Sequence, residues 1–296
     1  MIVATCVSLC TACKDTAHDD RLSLREELYE LIDTVPGTVG IAYVSDIDTI
    51  TVNNGVKYPM MSVFKFHQAL AVACVLEKRG HYLDSTLFIH ADELDRDTWS
   101  PMLINYSDAD FSISVAELLK YSITLSDNNA SNLLFKHIVT PTETDEFVRH
   151  IAKDCAFQIS CSESEMKDII YLCYSNYSSP LSAALLMRQI FEESLVGGVY
   201  QDSIKRYLSE VSTGVDRLGA AVADSEMAIF AHKTGSGYRN EAGELTAHND
   251  IGYFLYRDGR NYSLAVFIRD FRGSEQEAST VIANISKCVY KYHKNR

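Results

Sequence analysis

Apolar residues recur at helical spacing from Leu22 to Val35, with Leu24, Leu28, Leu31 and Ile32 on one stripe, and Pro36-Gly37 ends the run. The pattern predicts an amphipathic N-terminal helix. Thr38 to Val44 and Thr49 to Asn53 are short and rich in β-branched residues, and Asp46-Ile-Asp48 between them reads as the turn of a hairpin. From Ser62 the chain is apolar on most sides through Val63, Phe64, Phe66, Ala69, Leu70, Ala73, Cys74 and Leu76, until Gly80 stops it. Such a helix is buried all round. Val115 to Leu125, Ala130 to Val139 and Leu181 to Phe191, the last opened by Pro180, read as further helices. Near the C-terminus Ala228 to Thr234, Asp250 to Tyr256 and Tyr262 to Ile268 read as strands, with Asp258-Gly259 turning the last two, and Glu275 to Tyr292 as a closing helix. Strands at both ends with helices between predict an α+β chain in which the two ends jointly build one sheet-containing lobe. Residues 20–61 and 212–296 are assigned to that lobe and residues 62–211 to an all-helical one.

A chain of 296 residues with 47% hydrophobic content can bury a core large enough for two lobes. No linker, repeat or charge block separates them, so the lobes are expected to share a cleft, where small ligands usually sit. The formal net charge of −13 argues against a nucleic-acid or anionic-membrane partner, because both reward clustered Lys and Arg. A small anionic ligand would need a local basic site. The first thirteen residues are apolar and uncharged before the chain turns polar at Lys14-Asp15. They read as the remnant of a secretory leader, residues 1–19, too short to span a bilayer and without a basic n-region. Cys13 after Thr-Ala resembles a lipoprotein cleavage site, but Cys10 stands where a large aliphatic residue is usual, so simple cleavage is expected over a lipid anchor. Eight cysteines fall at 6, 10, 13, 74, 155, 161, 173 and 288. With the first three removed, five remain, an odd number, and at least one thiol stays unpaired. Cys74 and Cys288 read as core residues, whereas Cys155, Cys161 and Cys173 cluster where a disulfide is conceivable, with no pair favoured. Neither Cys-x-x-Cys nor His-Glu-x-x-His occurs, so no metal and no cofactor is expected.

The chemistry lies in three short words. Ser62-Val-Phe-Lys65 puts a hydroxyl and an amine three residues apart on one helix face, a candidate nucleophile with its own base. The plain alternative is a helix start with Ser62 as N-cap. Ser126-Asp127-Asn128 falls in a turn between two helices, and Lys233-Thr234-Gly235 on a strand near the C-terminus. Asp127-Asn128 could equally be an ordinary turn pair, and Lys233 an edge-strand lysine that discourages sheet aggregation.

Taken in order, the three words resemble the signature of class A serine β-lactamases and penicillin-binding proteins. Longer stretches carry the likeness further: Tyr58-Pro-Met-Met-Ser-Val-Phe-Lys65, Thr98-Trp-Ser-Pro-Met102, Tyr174-Ser-Asn-Tyr-Ser-Ser-Pro180, Thr213-Gly-Val-Asp-Arg-Leu218 and Ala231-His-Lys-Thr-Gly-Ser-Gly-Tyr238. These are similar to the Bacteroides and Prevotella branch, the CfxA-type cephalosporinases. The resemblance implies a β-lactamase/transpeptidase-like fold with an antiparallel five-stranded sheet, and hydrolysis of the β-lactam amide through a Ser62 acyl-enzyme. It implies that Lys65 relays the proton, that Ser126 protonates the leaving nitrogen, and that the amides of Ser62 and Ser236 hold the oxyanion. Lys233, Thr234 and Ser236 would hold the substrate carboxylate, Gly235 would let substrate approach the strand, and Asn128 would bind a side-chain amide. Trp99, the only tryptophan, matches the aromatic at the cleft mouth, with a core position as its rival; Arg217 matches an arginine near the carboxylate, with a surface position as its rival.

Here the chain departs from the common Glu-x-x-Leu-Asn pattern. Aligning on Met166 makes Glu163 the base for the deacylating water and leaves Glu165 exposed, with an error of two residues the alternative. Lys167 replaces the usual asparagine. Cys161 and Asn176 stand where many relatives pair an arginine with an aspartate, so the omega loop is expected to be held by neutral contacts from Asn176. The expected partner is a small β-lactam, the expected state a periplasmic monomer. A penicillin-binding sensor that stays acylated and a D,D-peptidase are the alternatives, and a base at Glu163 weighs against both.

Overall fold

The computed structural model describes residues 22–106, 108–222 and 226–295, so the leader reading and Cys6, Cys10 and Cys13 lie outside the described residues. Helix α1 (22–32) precedes strands β1 (Thr38–Ser45), β2 (Thr49–Val52) and β3 (Tyr58–Pro59). A 3₁₀ turn at Met61–Val63 then leads into α2 (Phe64–Arg79), which Gly80 closes at φ 63° as the sequence predicts. Next come β4 (Thr86–Ile89), β5 (Phe111–Ser114), α3 (Val115–Thr124), α4 (Asn128–His137), α5 (Pro141–Ile151), β6 (Phe157–Gln158), α6 (Glu163–Asp168) and β7 (Tyr177–Ser178). The chain finishes with α7 (Pro180–Glu192), α8 (Gly198–Ser209), β8 (Met227–Ser236), β9 (Leu245–Tyr256), β10 (Asn261–Phe271) and α9 (Glu275–Lys294).

The five-stranded antiparallel sheet has the order β2-β1-β10-β9-β8, so the two N-terminal strands and the three C-terminal strands join at the β1–β10 pair into one surface. Period-two alternation divides its two faces. Val39, Ile41 and Tyr43 of β1 pack with Leu24 and Leu28 of α1 and with Ile282, Ile285 and Val289 of α9. Ala42, Ala231, Ala247 and Ala265, on the other face, join the core of the helices between. Small residues there let the covering segments come close: a Cβ on Gly40 would lie 2.4 Å from the buried Tyr58 ring of β3. α2 runs through the centre of the helical core, buried on nearly every side.

The middle of the chain is helical in its bulk, with short strands that the hydrophobic pattern leaves out: β4 pairs with β5, and β3, β7 and β6 form a small sheet. Three helices also escaped that pattern, the shortest being α6. α5 begins at a Thr140–Glu143 capping box with Pro141 at its first position, and α8 is amphipathic behind Gly197. β9 starts five residues earlier than predicted, because Leu245-Thr-Ala-His-Asn249 reads as loop by polarity but is buried throughout. Helix α2 begins two residues later than predicted. Ser62 sits in the 3₁₀ turn and does not cap the helix: the N-cap is Val63, with no side-chain bond.

Candidate active site

The motif residues converge because of strained, tightly packed backbone. Met61 holds φ 45° and Ser126 φ 57°, left-handed conformations that cost a non-glycine residue about 1–3 kcal/mol and persist only where packing enforces them. Asp127 fixes the second turn. Its carboxylate accepts from Ala130 N (2.9 Å) as N-cap of α4, and from Met102 N (2.7 Å) and Ser100 Oγ (2.9 Å). The turn pair is thus a buried fastening, and Ser126 and Asn128 are held on either side of it.

Around these turns lies a cleft of about 750 Å³ lined by Ser62, Trp99, Ser126, Asn128, Glu163, Arg217, Thr234 and Ser236, with Thr98, Lys167, Thr213 and Tyr238 among its other walls. Ser62 Oγ donates to Glu163 Oε1 at 2.9 Å. Lys65, fully buried, donates to Ser126 O (2.7 Å) and Asn128 Oδ1 (2.6 Å) and stands 3.0 Å from the same Glu163 Oε1. The partner of Ser62 is therefore the carboxylate, and Lys65 reaches the hydroxyl through the oxygen that both share. Of the two carboxylates in question, Glu165 caps α6: its Oε2 accepts from Ser162 N and Ser162 Oγ, both at 2.8 Å.

Strand alternation sorts the third motif. Lys233 points beneath the cleft, where its Nζ donates to Ser126 Oγ (2.9 Å) and Thr234 O (3.0 Å), while Thr234 and Ser236 meet Arg217 and Thr213. Arg217, 7% exposed, donates to Asn249 O (2.8 Å) and Ser236 Oγ (2.7 Å), and Thr213 Oγ1 lies 2.6 Å from Thr234 Oγ1. The surface reading for Arg217 thus fails on burial. The core reading for Trp99 fails on exposure, since 62% of it is accessible at the cleft while its indole N–H is tied to Leu125 O at 2.9 Å. Gly235 has a packing reason beside the one expected: a Cβ there would lie 2.3 Å from Met60 O, so the glycine lets β8 press against the turn that carries Ser62. Lys233, expected to hold the substrate carboxylate, is fully buried and lies next to the cleft-lining Ser126 and Thr234.

Burial sets the electrostatics. It pulls the Lys65 ammonium below the usual lysine range, against the raising influence of Glu163. Lys233 is pushed well below that range by burial and by the neighbouring charge of Lys65. Burial also lowers Arg217, and raises the Tyr238 phenol to about 12.

Asn176 does neutrally what an ion pair would do across this loop. Its Oδ1 accepts from Ser160 N (2.8 Å) and Cys161 N (3.0 Å), and its Nδ2 donates to Cys161 O (2.7 Å). Neutral contacts are not the whole account, however, because Lys167 Nζ lies 2.7 Å from Asp95 Oδ2 and 3.6 Å from Asp97 Oδ2. All five described cysteines are free thiols: Cys155 is exposed and donates to Arg149 O, while Cys161 and Cys173 are buried apart from it, so the conceivable disulfide is not formed. Sequence reasoning missed Asn249, whose Nδ2 donates to Pro59 O at 2.7 Å and to Met60 O at 3.2 Å; no motif marks it. Thr213 lay within a recognised word but had no role attached. Among the described residues no helix is long and apolar enough to cross a membrane, and no group of three or more His, Cys, Asp or Glu could hold a metal ion.

A serine hydroxyl hydrogen-bonded to a buried carboxylate, beside two buried lysines, defines a serine-dependent acyl-transfer site between a five-stranded sheet and a helical core. The sequence model of the Beta-lactamase enzyme family matches residues 23–293, and the chain belongs to that family. A β-lactamase of Phocaeicola vulgatus is 45% identical over 282 residues, covering 95% of this chain and 88% of the relative. The extended-spectrum β-lactamase PER-1 of Pseudomonas aeruginosa is 29% identical, over 91% of this chain and 87% of its own. A crystal structure of a class A β-lactamase from Bacteroides cellulosilyticus superposes with a TM-score of 0.87 at 30% identity, covering 94% of this chain and 99% of that one.

Proposed function

We infer that this chain hydrolyses the β-lactam amide of cephalosporins and penicillins through an acyl-enzyme on Ser62, an activity that confers resistance to these antibiotics. The observation that carries the assignment of roles is the shared Glu163 Oε1, 2.9 Å from Ser62 Oγ and 3.0 Å from Lys65 Nζ. In acylation Ser62 Oγ attacks the β-lactam carbonyl, and its proton leaves toward Glu163 and Lys65. The C–N bond opens, and Ser126 Oγ, held by Lys233, gives the nitrogen its proton. In deacylation a water attacks the ester carbon and gives its proton to Glu163, and as the C–O bond breaks Glu163 hands that proton to Ser62 Oγ, which leaves as a hydroxyl and restores the carboxylate. Each step passes through an oxyanion, for which the amides of Ser62 and Ser236 are the donors. Arg217, Thr234 and Ser236 receive the substrate carboxylate, with Lys233 and Gly235 supporting them from below. Asn128 meets the side-chain amide, and Trp99 walls the mouth.

The chain forms one catalytic domain of two lobes, residues 20–61 with 212–296 and residues 62–211, meeting at the cleft. The protein works as a periplasmic monomer of the CfxA-type branch, with its small-molecule substrate as partner, in keeping with its Gram-negative relatives. Intact-mass spectrometry during turnover of a cephalosporin tests the reading. A transient adduct that returns to the free mass is expected from the wild-type protein, and none from Ser62→Ala. Labelling of Ser62→Ala would overturn the nucleophile; an adduct that never clears would point to a sensor, and release of D-alanine from a cell-wall peptide to a peptidase.

A further inference from the structure

Lys167 occupies the cleft wall one helical turn beyond Glu163, and its contacts close a ring. Asn128 and Asn129 are neighbours at the start of α4. Asn128 Oδ1 holds Lys65 at 2.6 Å, while Asn129 clamps Asp95 in both directions, with Asp95 N donating to Asn129 Oδ1 (2.9 Å) and Asn129 Nδ2 to Asp95 O (2.8 Å). Asp95 Oδ2 then takes Lys167 Nζ at 2.7 Å. Residues four apart on a helix share a face, so Lys167 returns along α6 to Glu163, which meets Lys65 at 3.0 Å.

Helix α6 has six residues, too few to hold its own geometry, and so it depends on external fastenings. At its N-terminal end these are the Ser162–Glu165 capping box and Ser164 N donating to Asn132 Oδ1 at 3.2 Å. Met166 is buried beneath it. On the cleft face the fastening is Lys167 to Asp95. The two groups shift each other in matching directions, Asp95 held below the usual carboxylate range chiefly by its bond to Lys167, and Lys167 raised chiefly by its bond to Asp95.

We propose that Lys167 is a positioning residue for Glu163: its tether to Asp95 fixes the cleft face of α6 against the α4 turn, and so sets the distance at which Glu163 meets a water attacking the Ser62 ester. The proposal rests on the assignment of Glu163 as the deacylating base. It predicts that losing the tether slows deacylation and largely spares acylation: Ser62 Oγ does bond Glu163, but Lys65 is held beside it by Ser126 O and Asn128 Oδ1, and Ser126 by Lys233, so the serine proton keeps a route to Lys65. Loosening a catalytic group by a fraction of an ångström costs on the order of tenfold or more. The side chains of Lys167 and Asp95 are 30% and 27% exposed, so added salt can reach and screen the pair.

Separate acylation and deacylation rates, measured by quenched-flow intact mass with one cephalosporin, test this. Lys167→Met and Asp95→Asn should each slow deacylation on the order of tenfold with acylation within about twofold of wild type. Lys167→Arg should restore it, and so should the exchange of the pair, Lys167→Asp with Asp95→Lys. Salt raised to about 1 M should slow wild-type deacylation and leave that of Lys167→Met unchanged. Wild-type deacylation in Lys167→Met, equal losses in both steps, or failure of the exchanged pair to recover would overturn the tether. Glu163→Gln run alongside separates the two levels: if it fails to trap the adduct, the base assignment falls, whereas if it traps and Lys167→Met deacylates normally, only the tether falls.

Discussion

Replacing Glu163 by glutamine keeps the shape of the side chain and removes its capacity to take a proton. In the native site one carboxylate oxygen accepts from Ser62 Oγ at 2.9 Å and from Lys65 Nζ at 3.0 Å. The amide oxygen of glutamine can accept both bonds, but its charge is gone. General-base assistance is worth about 10²- to 10⁴-fold, or about 2.7–5.4 kcal/mol of barrier at 1.36 kcal/mol per decade, and deacylation should slow by that much. Acylation has a second route. Burial already pulls the Lys65 amine down, with Glu163 opposing it. Once that opposing charge is lost, the neutral amine becomes more populated at pH 7 and can take the serine proton. The adduct should therefore accumulate, visible as the mass of one β-lactam within a single turnover. Glu165→Gln is the matched control, because glutamine also completes a capping box, and its rates should stay within about twofold of wild type, as for most exposed substitutions. A trapped adduct in Glu165→Gln and none in Glu163→Gln would refute the register; normal turnover in both would refute the mechanism.

Arg217→Met should raise KM for a carboxylate substrate by about tenfold or more and change little for its methyl ester, since a charge-assisted hydrogen bond contributes roughly 1.5–3 kcal/mol; equal losses on acid and ester would count against an anion-binding duty. Gly235→Ala should lower Tm and activity together, because its Cβ would lie 2.3 Å from Met60 O and β8 must retreat from the Ser62 turn; an unchanged Tm by calorimetry would show that the contact yields. His67 and His248 are held neutral by burial, at about 4 and about 3, below the 6.5 of the unfolded chain. The unfolded state then binds more protons, so stability is present above about pH 6.5 and is lost as pH falls toward 4 and 3, by on the order of a few kcal/mol per group. Thermal melts of His248→Gln should show a flatter fall across that range, and a slope identical to wild type would exclude this histidine from the effect.

Elements with strong periodicity were legible: α2 and its Gly80 stop, β1 with its hairpin, and α9 appear within a few residues of where the pattern puts them. What the pattern hides is polarity that folding buries. Residues 245–249 look like loop because Thr246, His248 and Asn249 are polar, yet each is at most 1% exposed inside β9. Their partners are too far away in sequence to be read: Ser279 for His248, and the carbonyls of Pro59 and Met60 for Asn249. Ser62, Ser126 and Lys233 could be picked out because their spacing is shared by a family. Their hydrogen bonds could not. Spacing on a helix suggests that Ser62 meets Lys65, and only the unwound turn at Met61 shows the hydroxyl turned to Glu163, 101 residues away.

The same geometry explains how a chain of net charge −13 can take an anionic substrate. Surface charge acts through water and is screened within about 8–10 Å at ordinary ionic strength, whereas the cations that matter here are inside. Lys65, Lys233 and Arg217 are all at most 7% exposed. Lys65 is balanced by Glu163, and the charge of Asp250 opposes the lowering of both Arg217 and Lys233. That balance is incomplete at Lys233, whose hydrogen bonds among the described residues go to the neutral oxygens of Ser126 and Thr234, and whose ammonium is disfavoured by burial and by the charge of Lys65. On the roles proposed above, a carboxylate bound at Thr234 and Ser236 would supply negative charge near this under-compensated lysine, and so favour the protonated state on which Ser126 would draw to protonate the leaving nitrogen. Binding the anion and readying the acid would then be one electrostatic event, with the third motif serving the proposed chemistry as well as recognition.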